Sequence, residues 1–250
     1  MKRLSRSSAL IAAGLSILFA APAAAEDTQN PNGEIVLRFD FSNGSAGWLP
    51  GLSDYSLSTS DLRFRAEIRQ LPPEVDNTRR GYYLQSMNRS DDLFMFLKRE
   101  LTQEDGLQPN TTYSVSIDVG YLSNAPSGAV GVGGAPGESV WLKAGITVDE
   151  PVTTLTGDYV HLNIDKGEQS QSGRDAGVVS DIANGLTSSP EDGSSPYVYL
   201  TRVYHHPTLV RTDHRGSLWT IIGTDSGFEG LTGIYYYSVI VTLRPIPVQE

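Results

Sequence analysis

Apolar and polar residues alternate along several stretches of the chain with the two-residue period of strands that bury one face. In TTYSVSIDVGYL (111–122), Tyr113, Val115 and Ile117 share one face, whereas the intervening serines and Asp118 share the other. Strand signals of this kind predict ten strands, at residues 34–41, 62–68, 81–87, 93–101, 111–122, 139–148, 158–164, 197–205, 217–223 and 234–243. The connections carry turn residues such as Gly, Asn, Asp, Ser and Pro. The pattern predicts an all-β fold, an antiparallel β-sandwich of the jelly-roll type.

Two connections are unusually long for a sandwich. Residues 124–137 and 165–196 are rich in Gly, Ser and Pro, and loops of this length in a compact domain are either functional or mobile. The only helical candidate, residues 175–186, contains two glycines. Because glycine is a poor helix former, we expect a short turn there at most.

The first 25 residues have the order of a secretory signal peptide. Lys2, Arg3 and Arg6 precede an uncharged apolar run, which ends at the small residues Ala23-Ala24-Ala25. We expect cleavage after Ala25 and export of residues 26–250, as a single β-sandwich domain, to the periplasm or the extracellular space. No later segment is long and apolar enough to predict a transmembrane helix.

Composition narrows the set of partners. The chain contains no cysteine, so a packed core rather than disulfide bonds must stabilise an exported protein of this length. Loss of the three basic residues of the signal peptide changes the formal charge from −10 to −13. Such a surface is unsuited to nucleic acid or anionic lipid, and it favours hard cations such as calcium.

Several motifs carry resemblances to known groups of proteins. FDF-x5-GW (39–48), GLQPNTTYSVSIDV (106–119) and VIVTL (239–243) resemble the galactose-binding-like sandwiches that include many carbohydrate-binding modules. That resemblance implies a sandwich fold and carbohydrate binding. Four other stretches resemble a group of exported bacterial proteins without an assigned activity, which implies export and a shared fold but no mechanism. These stretches are NRSDDLFMFLK (88–98), VGVGGAPGESV (130–140), NIDKGEQS (163–170) and LWTIIGTDSGFEG (218–230).

The glycine-rich stretch GVGGAPGES (131–139) is not a nucleotide-binding loop. A Walker loop ends in Gly-Lys followed by Ser or Thr, whereas Gly137 is followed here by Glu138, whose carboxylate would repel phosphate. Two interpretations remain open. The stretch is a structural connection in which glycines allow close chain approach, or it is a loop that presents Glu138 and Ser139 to a ligand.

Aromatic residues in loops are the candidates for contact with a sugar. Sugar recognition uses an aromatic ring laid against the apolar face of a pyranose, with hydrogen-bonding groups beside it. Trp48 and Tyr55 lie in a loop-rich stretch, so we predict these two side chains as the platform. Tryptophans inside strands belong more often to a core.

Acidic residues near two glycine-containing turns are the candidates for a metal. GTDSGFEG (223–230) places Asp225 and Glu229 four residues apart, and calcium prefers carboxylate and carbonyl oxygens on a chain that bends tightly. Galactose-binding-like sandwiches often hold a structural calcium ion between an early strand and the last one. That resemblance adds Asp40 and Asn43 to the predicted set, and the alternative is an ordinary acidic turn.

The sequence favours a binding protein over an enzyme. RAEIR (65–69) and WLKAG (141–145) resemble two motifs of jelly-roll polysaccharide lyases, but the histidine motif between them is missing and no tyrosine follows KAG. The predicted function is an exported module for extracellular carbohydrate, with calcium as the candidate cofactor and no catalytic residue assigned. A jelly-roll polysaccharide lyase or glycosidase is one alternative, and a structural or adhesive cell-envelope protein is another.

Overall fold

A computed structural model describes residues 33–89, 92–189, 191 and 193–247. The predicted signal peptide, residues 1–25, lies outside these residues. The described residues form two single-turn 3₁₀ helices, at Phe41–Asn43 and Gln103–Asp105. The strands, in chain order, are β1 (Ile35–Asp40), β2 (Leu49–Ser53), β3 (Tyr55–Ser56), β4 (Arg65–Gln70), β5 (Arg80–Met87), β6 (Phe94–Leu101), β7 (Thr112–Ser123), β8 (Val140–Thr147), β9 (Thr153–Thr156), β10 (Tyr159–Leu162), β11 (Ala176–Asp181), β12 (Val198–His205), β13 (Val210–Arg211), β14 (Leu218–Ser226) and β15 (Leu231–Pro245).

The strands pair into three antiparallel sheets. Sheet A has the order β12-β7-β15-β5-β4, with β1 also paired to β15 and β13 to β7. Sheet B has the order β11-β8-β14-β6-β2, and the small sheet C has the order β3-β10-β9. Within the described residues, no helix is long and apolar enough to cross a membrane. The all-β antiparallel sandwich predicted from the alternating pattern is confirmed.

The main core lies between sheets A and B. Val115 and Ile117 of β7 point inward from sheet A, and Leu142 and Ile146 of β8 point inward from sheet B; all four belong to one buried cluster. Their positions follow the two-residue period that the sequence shows, because alternate side chains of a strand leave opposite faces of the sheet. Burial of each such side chain stabilises the fold by roughly 1.5–3 kcal/mol.

The outer face of sheet B is covered as well. Phe94 and Phe96 of β6 and Ile221 of β14 form a second buried cluster with Leu162 and Ile164. Leu162 ends β10, and Ile164 lies in the segment that follows it. The β9–β10 hairpin and this segment therefore form a third layer, and the candidate site lies beneath it.

All ten predicted strands are present, and the structure adds shorter ones at the edges. The clearest difference is β11, which lies inside residues 165–196, predicted as a loop with a short helical turn at most. Ala176–Asp181 instead pairs with β8 through a register that shifts between Val178 and Ser180. Strand formation there depends on an available neighbouring edge, and such pairing overrides local propensity.

Trp48, predicted as an exposed platform for sugar, is a core residue. Its side chain is 1% exposed and meets the rings of Phe39 and Phe41 edge to face, at centroid distances of 5.6 and 6.2 Å. Three aromatic rings close together in the chain bury one another more effectively than any of them would cover a ligand. The prediction that Trp48 offers a free ring face is therefore wrong.

We expect Trp48→Ala to lower the free energy of unfolding by about 3–5 kcal/mol, because it leaves a large cavity beside Phe39 and Phe41. Chemical denaturation of residues 26–250 measures this change. Leu57→Ala is the control, since Leu57 is 59% exposed and its loss should change stability by less than about 0.5 kcal/mol. A Trp48→Ala protein as stable as the Leu57→Ala protein would contradict the core assignment.

Candidate functional site

Five ionisable side chains meet on the outer face of sheet B, beneath the third layer. We call them the charged cluster, and they are Asp54, Asp92, Lys143, Lys166 and Asp225. Lys143 and Asp225 are fully buried, Asp54 and Lys166 are nearly so, and Asp92 is partly buried. Charged groups are rarely buried unless they are paired, so this concentration marks the site as special.

Five separate segments of the chain supply the cluster. Lys143 pairs with Gly223 in the ladder between β8 and β14, and Asp225 lies two residues further along β14, so both side chains leave the same face of sheet B. Asp54 lies between β2 and β3 with a φ of 64°, a conformation that aspartate tolerates better than most residues. Asp92 precedes β6, and Lys166 follows β10.

Gly223 keeps room for the neighbouring ring. A Cβ atom at this position would lie 2.7 Å from carbon atoms of the Phe94 ring, which is closer than real Cβ contacts. The missing side chain leaves room for the Phe94 ring, whose centroid lies 5.1 Å from the Lys166 ammonium. The sheet therefore offers an aromatic face to one of the two cations of the cluster.

Lys166 joins two carboxylates. Its Nζ donates to Oδ2 of Asp225 at 2.8 Å and to the carbonyl oxygen of Gly167 at 3.2 Å, and it forms an ion pair with Oδ2 of Asp54 at 3.0 Å. The Asp225 Oδ2 atom also accepts from the backbone N–H of Gln169 at 3.0 Å. These contacts fasten the segment after β10 to the end of β14.

Lys143 is held mainly by backbone oxygens. Its Nζ donates to the carbonyl oxygens of Lys166 at 2.9 Å and of Gln171 at 2.6 Å, and it lies 3.4 Å from Oδ2 of Asp225. The ammonium therefore fixes the course of the segment that carries Lys166. Burial lowers the pKa of Lys143, although Asp225 partly opposes this effect.

Three carboxylates of the cluster can hold a metal ion. Asp54, Asp92 and Asp225 each place an oxygen within 4.8 Å of the others; we call these residues the carboxylate triad. Oδ1 of Asp92 and Oδ1 of Asp225 are buried and have no hydrogen-bond donor in the part of the chain that the structure describes. Buried oxygens of this kind call for a proton or a cation, because an unpaired carboxylate is costly to bury.

The pKa shifts of the cluster show how burial and neighbouring charges act on its carboxylates and on Lys166. Burial raises the pKa of Asp92 to about 8, and the negative charge of Asp225 adds to the effect. Burial also raises the pKa of Asp54, against the opposing influence of Lys166. For Lys166, burial disfavours the ammonium, but Asp225 and Asp54 outweigh burial and raise its pKa. At neutral pH Asp92 therefore carries the proton that its environment demands.

An open groove of about 500 Å³ passes over the cluster. Asp54, Asp92 and Lys166 reach this groove, whereas Asp225 is fully buried and does not line it. The other lining residues are Leu162, Ile164, Asp165, Gly167, Glu168, Gln171 and Ser172. The volume is in the range of small-ligand sites, and most of the lining side chains are polar or charged.

The structure does not assemble the predicted metal set. Of its four members, only Asp225 belongs to the carboxylate triad. Asp40 ends β1 in sheet A, where its Oδ1 accepts from the backbone N–H of Ser42 at 2.8 Å, and Asn43 lies exposed just beyond it. Glu229 lies in the turn between β14 and β15 and packs against the glycine-rich connection. Asp40 ends a strand of sheet A and Asn43 follows it, whereas Asp225 lies on β14 of sheet B. The three side chains do not meet because the two sheets hold them apart.

Glu138 and Ser139 organise their own loop. Oε1 of Glu138 accepts from the backbone N–H of Gly128 at 2.7 Å, and Oγ of Ser139 accepts from that of Ala135 at 3.0 Å. Ser139 also accepts, through its carbonyl oxygen, from Gly227 N at 2.9 Å. These contacts match the structural interpretation of the glycine-rich stretch, and the predicted ligand contact of Glu138 and Ser139 stays a prediction.

Tyr55 is half-buried on β3, next to Asp54 in the sequence but not among the residues that line the groove. Its predicted contact with sugar also stays a prediction.

Four members of the charged cluster, Asp54, Asp92, Lys143 and Lys166, were not predicted from the sequence. One signal was present, because Lys143 interrupts the apolar run VWLKAGITV, and a lysine inside a buried strand needs a partner.

The fold and the site together define a three-layered β-sandwich protein with a polar groove on one outer face. No protein-family model matches the chain, and a search of curated proteins gave no match. Among solved structures, the chain is similar to several carbohydrate-binding modules at low identity.

One similar structure is the module TmCBM61 in complex with beta-1,4-galactotriose, at 8% identity and a TM-score of 0.37 over 80% of this chain and 92% of that one. Another is the xylan-binding module CBM15, at 13% identity and a TM-score of 0.36 over 84% and 97% of the two chains. A cyclase from Fischerella sp. TAU is equally similar, at 13% identity and a TM-score of 0.36 over 84% and 90%. This similarity does not distinguish binding from catalysis.

The raised pKa of Asp92 predicts how stability depends on pH. An unfolded aspartate has a pKa of about 3.9, whereas that of folded Asp92 is about 8, so between these values the folded state holds a proton that the unfolded state has lost. The contribution of Asp92 to the free energy of unfolding therefore decreases as pH rises from about 4 to about 8. Urea denaturation in the presence of a chelator at several pH values measures it.

Asp92→Asn is the matched variant, because the amide keeps the shape of the protonated acid and does not titrate. We expect the difference in unfolding free energy between Asp92→Asn and wild type to grow in favour of the variant as pH rises through this range. A difference that stays constant from pH 5 to pH 8 would show that Asp92 titrates normally in the folded protein.

Proposed function

We propose that the protein is an exported binding module that holds extracellular carbohydrate in the groove over the charged cluster. The observation that carries this proposal is the groove itself, an open space of about 500 Å³ lined mainly by polar and charged side chains. Export is supported by the sequence order of the first 25 residues, a basic start followed by an apolar run and three alanines.

The lining supports a ligand rich in hydroxyl groups. Each hydroxyl of a sugar both donates and accepts hydrogen bonds, and the groove offers an acceptor at Asp54 and a donor at Gln171. Leu162 and Ile164 add an apolar wall, which suits the C–H face of a sugar ring. A mixture of a few oriented polar groups with apolar surface is typical of small-ligand sites.

The charge of the groove supports a neutral sugar over an acidic one. Among the described residues, Asp54, Asp92, Asp165 and Glu168 line the groove, whereas Lys166 is the one cation that does so. A uronate would approach this surface against repulsion unless another cation were present. The balance disfavours the lyase alternative, because such an enzyme must neutralise the acid groups of its substrate.

The position of the carboxylates supports binding over glycoside hydrolysis. Glycosidases place two carboxyl groups roughly 5–9.5 Å apart on opposite sides of the bond that they break. The carboxylate triad instead gathers its oxygens within 4.8 Å of one another, and Lys166 pairs with both Asp54 and Asp225. The three carboxylates of the triad therefore form one compact group rather than two facing walls.

Calcium is the ion that we propose for the carboxylate triad. Calcium takes hard oxygen ligands, and Oδ1 of Asp92 and Oδ1 of Asp225 have no donor among the described residues. Calcium would displace the proton that Asp92 carries at neutral pH, and the three ionised carboxylates, against the two ammonium groups of Lys143 and Lys166, then leave one negative charge for the ion. Sites with few charges bind calcium at the millimolar concentrations found outside cells.

We expect residues 26–250 to bind soluble neutral polysaccharides, such as galactan, xylan or galactomannan, more tightly than alginate. Gln171→Ala should weaken this binding by about two- to tenfold, the loss of one hydrogen bond, because the Gln171 side chain lines the groove and its backbone carbonyl stays in place for Lys143. Affinity electrophoresis followed by calorimetry measures both effects.

Gln108→Ala is the control, because Gln108 is an exposed glutamine that does not line the groove. Its affinity should equal that of the wild type. Polysaccharide binding that is equally strong in all three proteins would place the carbohydrate elsewhere on the surface, and failure to bind any polysaccharide would refute the proposed function.

A further inference from the structure

The carboxylate triad cannot complete the coordination of a calcium ion. Calcium takes six to eight oxygen ligands. Oδ2 of Asp225 is already occupied by Lys166 and Gln169, and Oδ2 of Asp54 by Lys166. Only the remaining oxygens of Asp54, Asp92 and Asp225 are left for an ion, so at least two further oxygens must come from outside the triad.

The groove is the side from which those oxygens arrive. Asp225 is fully buried beneath, whereas Asp54 and Asp92 line the open space. An ion within reach of all three has protein behind it and the groove in front of it. The part of its coordination sphere that the protein does not fill therefore faces the volume that we assign to carbohydrate.

We propose that two adjacent hydroxyl groups of a neutral sugar complete the coordination of calcium at Asp54, Asp92 and Asp225, so that ion and carbohydrate bind cooperatively. This inference rests on the proposed function, since it concerns the same groove. Two oxygens on neighbouring carbons chelate one ion without strain, and they replace two waters that would otherwise fill the open positions. The ligand class is therefore a glycan with an unsubstituted vicinal diol.

Cooperativity of this kind is reciprocal. The factor by which calcium raises the affinity for the glycan must equal the factor by which the glycan raises the affinity for calcium. Equal factors follow from any coupling between ion and sugar, so they show that the two are coupled but not how. The dependence of the coupling on the adjacent hydroxyls of the sugar separates a bridging ion from a structural one.

The test uses residues 26–250 with Ca²⁺ alone, with galactan, xylan or galactomannan alone, and with both. Calorimetry should show that a chelator lowers the affinity for the bound polysaccharide at least tenfold, and that the polysaccharide raises the affinity for Ca²⁺ by the same factor. Methylation of the adjacent hydroxyls of that polysaccharide should remove the effect of calcium.

Asp92→Asn is the first variant, because its amide keeps the shape of the carboxyl group and can still donate a hydrogen bond to Asp225, but it offers no charged ligand to the ion. Calcium should no longer change its affinity for the polysaccharide. Glu168→Gln is the matched control, since it removes one carboxylate of the groove outside the triad, and its calcium effect should equal that of the wild type. A calcium effect lost equally in both variants would reveal general charge attraction and overturn the inference.

The failures of the two proposals are distinguishable. Polysaccharide binding that is equally strong with calcium and with a chelator overturns the bridging ion and leaves the proposed function standing. The same holds if Ca²⁺ binds but neither affinity depends on the other component. Failure to bind any polysaccharide under either condition overturns both.

Discussion

The contact of Lys166 with Asp225 is the interaction on which the rest of the site depends. Both side chains are buried, and removing two charges from water is unfavourable by several kcal/mol per ion unless close pairing offsets it. Lys166 achieves that pairing at 2.8 Å, with Asp54 as its second partner. Removal of either partner would leave an uncompensated charge in the interior, so Lys166 and Asp225 depend on each other.

This constraint explains the third layer of the molecule. Two-layered sandwiches leave the outer faces of their sheets in water, where lysine and aspartate need no partner. Here the β9–β10 hairpin and the segment after it bury that face with Leu162 and Ile164. The same segment carries Lys166, and its backbone receives the ammonium of Lys143. Apolar cover and charge pairing therefore come from one stretch of chain, which also forms the groove.

The ten predicted strands were recognisable because each carries its own local signal, either an alternation of apolar and polar residues or an apolar run bounded by turn residues. β9 was not recognisable from the sequence, because all of Thr153–Thr156 is exposed and shows no apolar face. It is a strand because it pairs with β10. Trp48 was wrongly predicted to be exposed, because a loop-rich sequence does not show that its ring packs against Phe39 and Phe41. Asp225 was singled out from its glycine-rich surroundings. Its partners lie on distant segments, and tertiary pairing, which no local pattern encodes, brings them together.

The order of the strands has a consequence for how the protein matures. β15 pairs with β1, β5 and β7, so sheet A stays open along its middle until the last described strand joins. Asp225 lies on β14, only a few residues earlier, and until it arrives Lys143 and Lys166 lack their shared anion. Such long-range pairing makes folding slow. The core between the sheets and the charged cluster therefore close together, only when the last two described strands have joined the rest of the chain.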